Sequence, residues 1–406
     1  MFKKISRTIR DITFIHSSQG KQIPAQWLIG FWLLAVGHWR SLPNPESSVQ
    51  HLESRIQPSS PLAHELRANE PRANEPPRIP LPFFQFFFNF AKNDCMALDR
   101  IIGRFTGEKG GPLVVCLGGV HGNEKAGVKA LELVFKMLEV EPITNPHFRF
   151  KGRLLGLLGN TRAIEAGVRY IDKDLNRQWS PEHVDFIVNS NPEELDSEDK
   201  EILEMIQIIR KEIEEYQPPR MILLDLHTTS AFGGIFTIVN NEPESLEIGS
   251  HLHAPVITGL LNGINGTSLH YFNNQNFSVP TTAVSFEAGQ HDEPLSVNRT
   301  IAAIINCLRT VGCVRKEDVE NRHDELLIDF SKNLPRVNEL ITTYQVKENE
   351  SFKLLPGFRN FQPVKKGQLL GHDVDGPIHA SEDALILMPR YQTQGDDGFF
   401  LIKEKE

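Results

Sequence analysis

Between Arg100 and Leu308, short, largely apolar runs alternate with longer stretches in which apolar residues recur every three or four positions. The runs Pro112-Leu-Val-Val-Cys-Leu117, Arg153-Leu-Leu-Gly-Leu-Leu158, Met221-Ile-Leu-Leu-Asp-Leu226, Gly234 to Val239 and Thr282 to Phe286 have the length of strands. They lack polar alternation, which marks strands buried on both faces. Leu131, Val134, Phe135 and Leu138 form one helical stripe, and Ile202, Ile206, Ile209 and Ile213 form a second, capped by Asp196 or Ser197. A closing helix is expected over Val297 to Leu308. The alternation predicts an α/β fold: a mixed, largely parallel sheet with helices on both faces.

The pattern changes at both ends. From about Leu334, short runs punctuated by Gly and Pro (Ile341 to Val346, Phe352 to Leu355, Gln368 to Leu370, Ala384 to Met388, Phe399 to Ile402) predict a small C-terminal all-β domain over 334–406. Residues 1–95 read as a poorly ordered extension. They hold a basic start (Lys3, Lys4, Arg7, Arg10), an apolar run from Trp27 to Val36, a duplicated Ala-Asn-Glu-Pro and the phenylalanine-rich segment Phe83 to Phe90. The apolar run falls short of the roughly 20 residues a membrane-spanning helix needs. The catalytic domain is therefore expected over 96–333, with Met96 as the first residue of the functional protein.

Composition narrows the function. Hydrophobic residues make up 40% of the 406 and charged residues 23%, an ordinary globular balance. With 43 basic against 52 acidic side chains the net charge is −9, which argues against a general nucleic-acid binder and favours a small-molecule partner. Cys95, Cys116, Cys307 and Cys313 form no CxxC pair, so neither a disulfide framework nor a cysteine metal site is expected, and a reducing cytoplasm fits.

The chemistry gathers at predicted strand ends. His121 and Glu124, in Gly118-Gly-Val-His-Gly-Asn-Glu124, sit where the first strong strand gives way to a helix, at the carboxyl edge where α/β sheets place ligands. Their spacing of three lets one turn aim both side chains at a point. His227 follows the Met221 run and Glu287 follows the Thr282 run, so both emerge at the same edge. Two histidines and a carboxylate suit one catalytic zinc ion, and Glu287 can then serve as general acid/base. Asn160 and Arg162 after the second strand, and Asn176 and Arg177 in Asp174-Leu-Asn-Arg177, offer groups to stabilise an oxyanion and to hold a substrate carboxylate. Taken singly each has a blander reading, such as a core histidine or a surface ion pair; their coincidence at one edge favours the site. Gly118 to Gly122 lacks the ending of a phosphate loop, His251 and His253 read as structural, and Lys365-Lys366-Gly367 as a turn.

Five ordered segments, GGVHGNE at 118–124, NTRA at 160–163, DLNR at 174–177, DLHTT at 225–229 and FEAGQ at 286–290, resemble the succinylglutamate desuccinylase/aspartoacylase family, a branch of the zinc carboxypeptidase superfamily. The resemblance covers roughly Leu98 onward. It implies a zinc carboxypeptidase-like fold, zinc on His121, Glu124 and His227, Glu287 as acid/base, Arg162 polarising the scissile carbonyl, Asn176 and Arg177 on the substrate, and a barrel-like C-terminal domain over the site mouth. One departure stands out: members acting on acylated acidic amino acids carry an arginine shortly before FEAGQ, whereas Tyr271 to Thr282 has no Arg or Lys. Asn273, Asn274, Gln275 and Asn276 offer neutral hydrogen bonding there, which points to a less acidic substrate.

The expected activity is hydrolysis of an amide or ester in a small N-acyl amino acid or related carboxylate. The rivals are a carboxypeptidase-like peptidase on short peptides, a non-catalytic metal or small-ligand binding module, and a membrane-surface anchor formed by the N-terminal stretch.

Overall fold

The structure, a computed structural model, describes residues 98–318, 324–347 and 351–405. The N-terminal extension and the Met96 start lie outside the described residues. Cys95–Glu406 forms one compact unit.

Fourteen strands are described: β1 (Ile101–Thr106), β2 (Glu108–Gly118), β3 (Lys151–Leu158), β4 (Met221–Thr229), β5 (Phe236–Val239), β6 (Val256–Thr258), β7 (Thr281–Gln290), β8 (Val337–Gln345), β9 (Lys353–Leu354), β10 (Gln362–Val364), β11 (Leu369–Asp373), β12 (Gly376–His379), β13 (Ala384–Leu387) and β14 (Asp397–Glu404). Eleven of them form one sheet in the order β1-β3-β2-β4-β7-β5-β6-β8-β14-β13-β10, and β12-β11-β9 form a second. The helices are α1 (Lys125–Thr144), α2 (Thr161–Ala166), α3 (Pro181–Asn189), α4 (Ser197–Tyr216), α5 (Pro243–His251), α6 (Ser268–Tyr271), α7 (Leu295–Thr310) and α8 (Asp324–Ser331).

The apolar runs form the parallel heart of the sheet, β3-β2-β4-β7. Because neighbours on a strand face opposite ways, Leu113, Val115 and Leu117 pack with Ile202, Ile206 and Ile209 of α4. Val114 and Cys116 pack on the other face with Leu131 and Val134 of α1 and Ile301 and Ile304 of α7. The sheet thus has helices on both faces, as expected. Asp196 caps α4, its side chain accepting from the Asp199 amide at 3.0 Å.

Two differences from the sequence reading matter for the site. First, β4 and β7 run on past their apolar stretches, so His227 and Glu287 lie within the ladder, directly opposite each other in the parallel register. Second, the C-terminal strands join the catalytic sheet: β8 pairs in parallel with β6 and antiparallel with β14. The C-terminal region also has its own core, with Phe352, Leu370, Ile386 and Phe399 between the two sheets. Among the described residues, no helix is long and apolar enough to cross a membrane.

Candidate active site

The loop leaving β2 turns sharply. Gly119 adopts φ +72°, in the region glycine favours, and Gly122 passes so close to α2 that a Cβ there would lie 2.1 Å from the Ala163 carbonyl carbon. Gly122 also donates its amide to the Arg169 carbonyl at 3.1 Å. This close passage sets His121 and Glu124 over the sheet edge.

Their side chains converge with His227. The Nδ1 atoms of His121 and His227 lie 2.7 and 3.0 Å from the two oxygens of Glu124. The Thr228 amide donates to Oε2 of the same carboxylate at 2.9 Å. On the outer side, Nε2 of His121 is 3.1 Å from Asp174 Oδ1. Nε2 of His227 is 3.0 Å from Asp225 Oδ2 but off the hydrogen-bonding line. All five side chains are buried. Burial pushes the Glu124 carboxyl up, but the two imidazoles pull it well below the usual carboxylate range. Burial pushes His227 down, and Asp225 and Glu124 more than reverse this, holding it well above an ordinary histidine.

Two imidazoles and one carboxylate, with potential ligand atoms within 4.8 Å of one another, are the donor set of catalytic zinc. Histidines backed by carboxylates are also how such ligands are oriented. The residues therefore fit a metal ion. A second acidic group, Asp172, Asp196 and Glu198, is equally compact, but it is committed to folding. Glu198 accepts the amides of Ile171, Asp172 and Lys173, and Lys173 pairs with Asp196.

Glu287 is buried beside His227, and its Oε2 has no hydrogen-bond partner. Burial pushes its carboxyl up to about 8. A buried, partnerless oxygen costs free energy and marks a group reserved for something other than folding.

These residues line one cleft that opens to solvent. Of the expected substrate-binding groups, Asn176 and Arg177 line it. The Oδ1 of Asn176 accepts the Ser268 amide at 2.9 Å, leaving its amide nitrogen as the group to offer. Arg177 donates to the Asn176 carbonyl at 2.7 Å and to Asp397.

Asn160 and Arg162 are placed elsewhere, which corrects the sequence reading. Fully buried Asn160 caps α2, accepting from the Ala163 amide at 3.1 Å and donating to Glu198 at 2.9 Å. Arg162, its side chain 47% exposed, reaches Glu201 and the Ser197 carbonyl. On the first turn of α2 its direction is set by that helix, which aims it at α4 and away from the cleft. The guanidinium that enters is Arg169, buried, 3.0 Å from Asp174 Oδ2 and 3.6 Å from Glu124 Oε1. Burial works against its charge, and Asp174 and Glu124 hold that charge in place. The one signal in the sequence was an arginine five residues before Asp174.

Other lining residues were also missed. His291 bonds Thr228 Oγ1 at 2.8 Å and Gln392 at 3.3 Å, and Gln392 also accepts from Asn123 at 3.3 Å. Gln392, Arg390 and Asp397 come from residues 388–397, the link and strand start between β13 and β14, which form one wall of the cleft. The polar stretch Asn273 to Asn276 does not line it. Its amides bond the backbone of His270, Gln275, Thr281 and Tyr271, which fixes a turn.

Residues 110–310 match the succinylglutamate desuccinylase/aspartoacylase catalytic domain family. The chain is similar to a probable aspartoacylase of Nostoc sp., 25% identical over 297 residues, covering 68% of this chain and 89% of that one. It is similar as well to an N-acyl-aromatic-L-amino acid amidohydrolase (carboxylate-forming) of Xenopus tropicalis, 27% identical over 295 residues, covering 67% and 88%. In fold it is similar to an ectoine utilization protein of Ruegeria pomeroyi, with a TM-score of 0.52 at 17% identity over 74% of this chain and 86% of that one.

Proposed function

From the premise that the chain belongs to the succinylglutamate desuccinylase/aspartoacylase family, we propose that it is a zinc-dependent amidohydrolase. It hydrolyses the amide of a small N-acyl amino acid to a carboxylate and an amine. The observation that carries this reading is the partnerless, buried oxygen of Glu287, in register beside His227 at the converging histidine and carboxylate side chains. One zinc ion on His121, Glu124 and His227 would supply Lewis acidity toward water and the scissile carbonyl. Glu287 Oε2 takes the proton of the attacking water and returns it to the departing amine nitrogen. Arg169, in the role the sequence reading gave to Arg162, donates to the oxygen that becomes negative. Arg177 and the amide nitrogen of Asn176 hold the substrate carboxylate. The wall at residues 388–397 closes one side of the cleft and favours small substrates over peptides. Buried Cys116, Cys307 and Cys313 are free thiols, which supports a reducing compartment such as the cytoplasm.

The test is metal content and hydrolysis measured together. Glu287→Gln retains one zinc per chain and loses most turnover on N-acyl amino acids, whereas His121→Ala loses the metal. Full turnover in Glu287→Gln, or undiminished zinc in His121→Ala, refutes the assignment.

A further inference from the structure

The cleft is not uniform. Beside the charged machinery, its lining includes the apolar side chains of Ile238, Leu260, Leu261, Ile264, Leu269 and Phe400. Four of these six belong to the segment 260–269, which is stitched to the loop carrying Arg177. Ser268 donates its amide to Asn176 Oδ1 at 2.9 Å, Trp179 donates to the Gly266 carbonyl at 2.9 Å, and a Cβ on Gly266 would strike the Arg177 carbonyl at 2.3 Å. The apolar wall therefore stands immediately beside Arg177.

That adjacency selects which part of a substrate meets it. In an N-acyl amino acid the side chain branches from the same carbon as the carboxylate. A molecule whose carboxylate rests on Arg177 lays its side chain on the neighbouring surface, and here that surface is hydrocarbon.

The guanidinium groups around the cleft argue the same way. Arg169 is engaged by Asp174 and Glu124, and Arg390 by the Gly395 carbonyl and the Phe352 ring, 4.7 Å from its centre. Arg177 is shared with Asp397, keeping further donors for one carboxylate. Asp396 and Asp397 line the same cleft and repel a second negative charge. Residues 271–282 contribute nothing to it.

We infer that the site selects N-acyl amino acids whose side chain is apolar and uncharged, aliphatic or aromatic, and rejects those with an acidic side chain. This rests on the amidohydrolase reading above and specifies its substrate class.

The experiment compares N-acetyl-L-leucine and N-acetyl-L-phenylalanine with N-acetyl-L-aspartate and N-acetyl-L-glutamate. Initial rates on the zinc-loaded full chain give kcat/KM, and calorimetric titration of Glu287→Gln gives affinity without turnover. Burial of a leucine or phenylalanine side chain predicts a preference of roughly 10- to 150-fold in both measurements. Leu261 is only partly buried, so Leu261→Arg should be tolerated and should shift the preference toward N-acetyl-L-aspartate. Equal or better use of the acidic compounds by the unmodified protein, in rate and in affinity, overturns this inference and leaves the amidohydrolase reading standing. Failure to bind or cleave any of the four overturns both. If Leu261→Arg does not fold, the unmodified protein's panel decides alone.

Discussion

Replacing Arg169 and, separately, Arg162 distinguishes the arginine that motif position suggested from the one the fold delivers. Arg169 is buried against Glu124 and Asp174, and its side chain is 12% exposed. Arg169→Met keeps the bulk but leaves two buried carboxylates short of a partner, which destabilises the protein by about 3–5 kcal/mol. Removing an oxyanion donor costs about 10²- to 10³-fold in kcat. Loosening Glu124 and Asp174 weakens metal binding by about 10- to 100-fold. Arg162 forms a pair 3.4 Å long with its side chain 47% exposed. An exposed pair of that kind contributes about 0–1 kcal/mol, so Arg162→Ala should leave kcat within roughly a factor of two. The assay is steady-state hydrolysis at saturating zinc, with bound metal quantified and urea melts run alongside, so that lost metal, lost fold and lost chemistry are read separately. Added guanidine should restore part of the Arg169→Met activity. A hundredfold loss in Arg162→Ala with metal and stability intact, or near-normal kcat in Arg169→Met, would refute the reasoning.

Three further outcomes follow from the geometry. The Glu287 carboxyl, near 4.5 when unfolded, is pushed up to about 8 in the metal-free fold, so its contribution to stability is complete below about 4.5 and is lost as pH rises through 8. Metal-free Glu287→Gln should therefore match the unmodified protein at pH 4 and exceed it at pH 9, by up to about 5 kcal/mol; equal urea midpoints at pH 9 would sink this. Gly122→Ala forces a methyl into the Ala163 backbone and should lower both melting temperature and zinc stoichiometry, while normal values for both would show that the close passage is dispensable. Asp174→Asn, which removes the charge behind His121 and Arg169, should weaken zinc by about 10- to 100-fold, and an unchanged competition titration against a chelator would count against its role.

The sheet and the edge on which His121, Glu124 and His227 converge were legible because they depend on local pattern. The run ending in Leu117 is continuous hydrocarbon, those ending in Leu226 and Phe286 are apolar apart from Asp225, Thr282 and Ser285, and the polar residues that follow them mark the edge. What apolarity could not reveal was that β4 and β7 keep pairing through His227 and Glu287, since ladder hydrogen bonds are indifferent to side-chain polarity. The strand β1 was missed because, at the sheet's end, none of its residues is fully buried, and β6 because three residues hold too little pattern. Arg162 was misread because a motif fixes neighbours in sequence, whereas entry to the cleft depends on the turn that folds Arg169 back onto Glu124 across 45 residues. The apolar wall and Gln392 lay further from inference still, being joined to the loops of Arg177 and His121 only by contacts between residues far apart in sequence.

The wall at residues 388–397 also imposes a timetable. At about 5–20 residues per second of synthesis, the roughly 270 positions separating His121 from Arg390 take between about a quarter of a minute and a minute to emerge. The last roughly 160 of those positions follow His227, so for about 8 to 33 s His121, Glu124 and His227 can meet while the cleft lacks its outer side, and β6, once made, presents an edge that only β8 will cover. The nascent chain thus passes through a stage in which its candidate metal ligands stand beside an uncovered strand edge, and the cleft is completed only when its latest-made strands arrive.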